Sequence, residues 1–294
     1  MQAHTKRLFV KPLLYQELVV SAVLLPLILV VMTQNIVGLE KYKTLLDALN
    51  AFVILTGISL RIAVKYLCVR PAIRIMGQER CEPQEARHAL RLTSIQPMAE
   101  SIAIAMSWSV FAFFLSILVP YVMGYSQLPD LIFSTITCCM IALLVMPFYY
   151  LFVENSLVPF YRRISETGLV DMESRIFRLS LGRKVLFTIF FTAIPPIGMI
   201  SGLIYYAVAM HLDIATLKGA FGLIMVMIVI MTGINSYLLI KNLSVSLGRM
   251  SGMLKDMAKG QGDLTKRLEI TGLNEVGELA YWFNAFMHDL EELV

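Results

Sequence analysis

The stretch GQGDLTKRLEITGLNEVGELAYWFNAF, Gly260 to Phe286, decides how this chain is organised. It mixes charged, polar and apolar residues, is interrupted by glycines and suits water, yet it follows a long segment that reads as membrane. Of the 294 residues, 57% are hydrophobic and only 16% charged, with a mean hydropathy of +0.71. Soluble chains carry about 25% charged residues, so composition places this one in the membrane class.

A helix crossing the hydrocarbon core needs roughly 17 to 25 mainly apolar residues. Six runs of that kind occur, at Tyr15–Val37, Asp47–Val69, Met98–Met123, Leu131–Val153, Val185–Ala209 and Leu217–Ile240. The opening MQAHTKRLFVKPLLYQEL carries positive charge ahead of the first run and no small-residue cleavage site, so the first helix is expected to be retained.

Short cytoplasmic loops are enriched in Lys and Arg, which orients the six helices. One side holds Lys6, Arg7 and Lys11, then Arg70, Arg74, Arg80, Arg87 and Arg91, then Arg162, Arg163, Arg175, Arg178, Arg183 and Lys184. The tail adds Lys241, Arg249, Lys255, Lys259, Lys266 and Arg267 there, whereas Lys41, Lys43 and Lys218 stand opposite. Both termini are therefore expected in the cytoplasm. The outer connections around 38–46, 124–130 and 210–216 are too short to fold alone. A stimulus would have to reach the helices or the bilayer, which favours a lipophilic ligand or lipid.

The ends of the second, fourth and sixth helices read VKYLCVRPAIRIM from Val64, VENSLVPFYRRIS from Val153 and IKNLSVSLGRMSGM from Ile240. A β-branched residue, a charge, an apolar stretch and a basic turn recur in that order, as a threefold repeat of helix hairpins would require. The rival cause is that many membrane helices end in a basic, aromatic interface.

The tail holds two helical periodicities. Leu247, Met250, Leu254 and Met257 step by three and four, and so do Val276, Leu279, Phe283, Phe286, Leu290 and Leu293. Between them Gly260, Gly262 and Gly272 break helicity, with apolar Leu264, Leu268 and Ile270 spaced through the connector. A single pair of such helices leaves its seam half exposed, and a second copy closes a four-helix bundle.

GDLTKRL followed by NEVGELAYWFNAF resembles the HAMP linker domain of bacterial transmembrane receptors, in the version common in methyl-accepting chemotaxis proteins. Gly262, Asp263 and Leu264 match the end of the family's first helix, and Asn274, Glu275, Val276 and Gly277 match the Asp-Glu-x-Gly start of its second. Where the family often has Pro at the start of its first helix, this chain has Ser246 or Leu247. The resemblance implies a bacterial inner membrane, a homodimer and a cytoplasmic output domain: a methyl-accepting hairpin, a class III nucleotide cyclase or a histidine kinase. The chain stops at HDLEELV in mid-register, so the output domain is expected beyond it.

Ionisable groups within a membrane are functional candidates by default. Arg61 is read as part of an internal polar cluster with Glu17 or Glu100, and Lys65 as an anchor that snorkels to the interface. Asn235, beside Gly233 and Ser236, marks a small polar patch on the sixth helix. Pro26, Pro120, Pro147, Pro195 and Pro196 are expected to kink their helices.

His4, His88, His211 and His288 all fall outside the six runs, and no His/Cys/Asp/Glu spacing suggests a metal. Cys68, Cys81, Cys138 and Cys139 show no disulfide framework and read as reduced. P-loop, GxSxG and CxxC motifs are missing, so neither catalysis, nor a cofactor, nor nucleic-acid binding is expected.

These readings give an all-α membrane protein: residues 1–240 a six-helix sensor, residues 241–294 a HAMP relay, paired in a homodimer through both. A transporter for a small solute is the alternative, drawing on the repeat and on Arg61; transporter sites usually lie in broken helices at the midplane.

Overall fold

In the computed structural model, the described residues are 59, 62–75, 82–113, 128–166, 179–258, 267–268, 270, 272 and 274–293. All regular structure among them is α-helical: α1 (62–75), α2 (Pro83–Phe113), α3 (Leu128–Ser156), α4 (Val158–Glu166), α5 (Leu181–Ala209), α6 (Ile214–Ala258) and α7 (Glu275–Leu293).

Among the described residues, three helices are long and apolar enough to cross a membrane, at Thr135–Arg162, Leu181–Ala209 and Leu217–Lys241. They coincide with the fourth, fifth and sixth apolar runs. The first run and most of the second lie outside the described residues. Of the third, residues 98–113 are the second half of α2, which starts upstream of the apolar run. Pro83 suits the first helical position, because its missing N–H would be unpaired there anyway, and Glu85 adds a carboxylate to the first turn. Ala86, Ala89, Leu90 and Thr93 then form a buried stripe at helical spacing.

Helix α3 is the hub: 67% of its apolar window is buried, against 28% for α5 and 22% for α6. One core joins Ile104 of α2, Leu144, Tyr149 and Val153 of α3, Met199 and Leu203 of α5, and Met227 and Met231 of α6. Helices α3 and α5 run through Pro147 and through Pro195 and Pro196 as single elements. The chain breaks instead at Leu157, two residues before Pro159, which cannot donate an N–H to a preceding turn. Pro26 and Pro120 lie outside the described residues.

Candidate functional site

The feature that organises the site is the length of α6. It spans Ile214 to Ala258, 45 residues without proline or interruption, so the apolar span and the first tail helix are one rod about 68 Å long at 1.5 Å per residue. Backbone hydrogen bonding is satisfied throughout such a rod, and a tilt or shift at one end is carried to the other.

The second tail helix is held at its start and along its side. Asn274 Oδ1 accepts from Gly277 N at 3.1 Å, a side-chain cap, and Glu275 and Glu278 place carboxylates in the first turn, where the helix dipole favours them. Gly277 is required by a close approach: a Cβ there would overlap the carbonyl oxygen of Gly272 in the connector. Asn284 clamps the connector from mid-helix, donating Nδ2 to Leu268 O at 2.9 Å and accepting from Leu268 N at 2.7 Å on Oδ1. Arg267 adds an ion pair to Glu291 at 2.6 Å. Asn284 was not singled out by sequence; an amide beside a helical seam, within reach of the connector, is the signal that could have found it.

The expected seam residues split into two sets. Met250, Ile270, Val276 and Phe283 are buried, joined by Leu268, Ala280 and Met287. Leu247, Leu254, Leu279 and Phe286 are instead 45% to 53% exposed, with Trp282 beside them at 50%. On α7 the exposed set lies at i, i+3 and i+7, so it is one continuous apolar face. Glu275 is exposed. Gly262, Asp263 and Leu264 lie outside the described residues, as does the side chain of Met257.

The polar groups between the apolar helices are placed differently from the expectation. Glu100, fully buried, pairs with Lys65 at 3.4 Å (Nζ to Oε2) and accepts from Gln96 Nε2 at 2.6 Å. Lys65 is therefore no snorkelling anchor: it is 7% exposed and falls on the buried stripe Lys65, Val69, Ala72 and Ile75 of α1. A buried carboxylate demands a countercharge, and the face on which Lys65 sits supplies it. Lys65 is thus a charge partner of Glu100; Arg61 and Glu17, the other expected members of the cluster, lie outside the described residues. Glu154, at the position that the repeat equates with Lys65, pairs in turn with Lys184 at the start of α5. The second pair joins the end of α3 to the beginning of α5, the first joins α1 to the middle of α2, and the signs are exchanged between them.

Asn235 is fully buried on α6, its Nδ2 3.5 Å from Thr192 Oγ1 of α5. Its Oδ1 and the nearby α5 hydroxyl of Thr188 have no hydrogen-bond partner among the described residues. This is a sparse polar contact between two apolar helices, suited to a reversible shift of one against the other.

The described residues thus form helices with apolar spans, the last of which runs on into the first helix of a pair whose second helix is capped. Residues 238–292 match the HAMP domain. Three methyl-accepting chemotaxis proteins of Pseudomonas aeruginosa are similar to parts of the chain. TlpQ is 55% identical over 42 residues, 14% of this chain and 6% of TlpQ. PctB is 42% identical over 57 residues, 19% of this chain and 9% of PctB, and CtpM 39% over 72 residues, 21% and 13%. The matches therefore span a small part of each relative. No solved structure matches the chain.

Proposed function

We propose that this chain is the membrane sensor and relay of a chemoreceptor-like protein. The observation that carries the reading is α6, which passes unbroken from an apolar span into the first helix of the HAMP domain. In this reading six helices per chain lie in the inner membrane with both termini cytoplasmic. Two copies pair through the membrane helices and through the exposed face of Leu247, Leu254, Leu279, Trp282 and Phe286. That face is what one chain leaves uncovered and a second copy would bury, giving the four-helix bundle. A lipophilic ligand or lipid acting on the helices shifts α6, the two packings of the bundle exchange, and a cytoplasmic output domain reads the change. The names of the similar proteins favour a methyl-accepting signalling hairpin as that output.

The test is a chimera fusing the chain through Val294, in matched heptad register, to a dimeric nucleotide cyclase domain. Nucleotide formation should respond to lipid extract and fall when Leu254 or Leu279 is replaced by Asp. In a companion experiment, single cysteines at Leu254 and Leu279 should crosslink between copies in native membranes. Absence of both crosslinks discards the dimeric relay, and solute uptake into reconstituted vesicles would put a transporter in its place.

A further inference from the structure

The two helices of the HAMP domain are not attached to the membrane part in the same way. The first is the continuation of α6. The second, α7, has its own contact: Glu275 Oε2 accepts from the backbone N–H of Leu181 at 2.6 Å, 94 residues away in sequence. Leu181 is the first residue of α5, where the leading N–H groups have no acceptor within the helix. Ser180 Oγ takes the N–H of Arg183 at 3.3 Å, and the Glu275 carboxylate takes that of Leu181 at the positive end of the α5 dipole.

A second observation points the same way. Met250, Phe283 and Met287 belong to one apolar core with Val69 of α1, Leu90 of α2 and Phe160 of α4. The HAMP helices therefore share a core with the ends of the preceding helices, and are not suspended from α6 alone.

We infer that α7 is clamped directly to the start of α5, so that the HAMP domain reads displacement between α5 and α6. These two helices form an adjacent hairpin whose polar contact, Asn235 to Thr192, is sparse. A slide or tilt of α6 against α5 then moves the first HAMP helix relative to the second within one chain. The inference rests on the relay reading and adds a second input, the fifth helix, to that made by the sixth.

The test uses the full chain in lipid nanodiscs, with amide hydrogen exchange followed by mass spectrometry. Glu275→Ala should speed exchange at residues 181–184 by between about twofold and tenfold, the worth of one hydrogen bond. Glu278→Ala, which removes the other first-turn carboxylate of α7, should leave it unchanged. Leu181→Pro is the reciprocal change: it deletes the donor while proline suits the first helical position. Ser180, at φ −57 and ψ 153, already has the backbone required before a proline. This variant should speed exchange over the first turn of α7, and Leu181→Ala, which keeps the N–H, should not. Unchanged exchange in both Glu275→Ala and Leu181→Pro overturns the clamp.

The cyclase chimera supplies the second readout. Each variant should weaken the response to lipid extract, and combining them should add nothing further, because both remove one interaction. Fully additive effects would overturn the inference. A short glycine insertion after Ile240 keeps the two claims apart: indifference to it sinks the relay reading itself, whereas a response without any exchange change removes only the clamp.

Discussion

Helices α3 and α6 are both apolar and long enough to cross a membrane, yet the protein uses them in opposite ways. Two-thirds of the apolar window of α3 is enclosed by other helices, while most of that of α6 faces outward. Helix α3 also stops at a turn and a proline, where α6 runs on through the first HAMP helix. An enclosed helix with a short continuation is a post; a helix with few internal contacts and a long one is a lever. The difference teaches that, in the proposed relay, the span least committed to the core is the one that moves at the lowest cost in lost packing.

The comparison can be broken hardest at the buried charge that fastens α2 to α1. Glu100→Ala removes one buried member of the ion pair with Lys65 and should destabilise by about 3–5 kcal/mol. Replacing both, Glu100→Leu with Lys65→Met, should recover most of that loss in thermal unfolding of the purified protein in detergent. A core truncation in the post, Leu144→Ala, should cost about 2–5 kcal/mol. Val229→Ala on the outward face of the lever should stay within about 0.5 kcal/mol. Equal losses from the last two would abolish the distinction between post and lever.

Smaller effects sharpen the lever end. Gly277→Ala forces the connector carbonyl of Gly272 away and should cost about 1–3 kcal/mol by overpacking, seen as faster amide exchange at residues 267–272. A small change is also expected from Asn235→Leu, which removes one long contact between α6 and α5. Polar contacts between membrane helices average about 0.6 kcal/mol, so stability should hardly move while the lipid response of the chimera shifts. A large stability loss there would make Asn235 a structural tie and remove it from the moving joint.

Much of this was legible without coordinates. The fourth, fifth and sixth apolar runs are the three span-length helices among the described residues, because hydropathy over a helix length is a local property that bilayer thickness selects directly. The start of α7 was legible too, since a cap such as Asn274 acts within three residues of itself. The seam was legible as a period but not as two faces: Leu279 and Val276 obey the same spacing, and only packing decides that one is covered within the chain and the other left bare.

Lys65 shows the same limit. A lysine near a helix end fits snorkelling equally well on any face, and its pairing with Glu100 depends on how α1 lies against α2. Gly277 matched a motif, but its need for a bare Cα comes from Gly272 crossing above it. The sequence by itself determined the three apolar spans seen among the described residues and the HAMP domain, which follow from periodicity, composition and short-range caps. Tertiary structure alone decided that Lys65 neutralises Glu100, that half the seam stays bare, and that Glu275 reaches the first residue of α5. Each of those joins residues far apart in the chain, and the geometry that brings them together is set by the packing of whole helices.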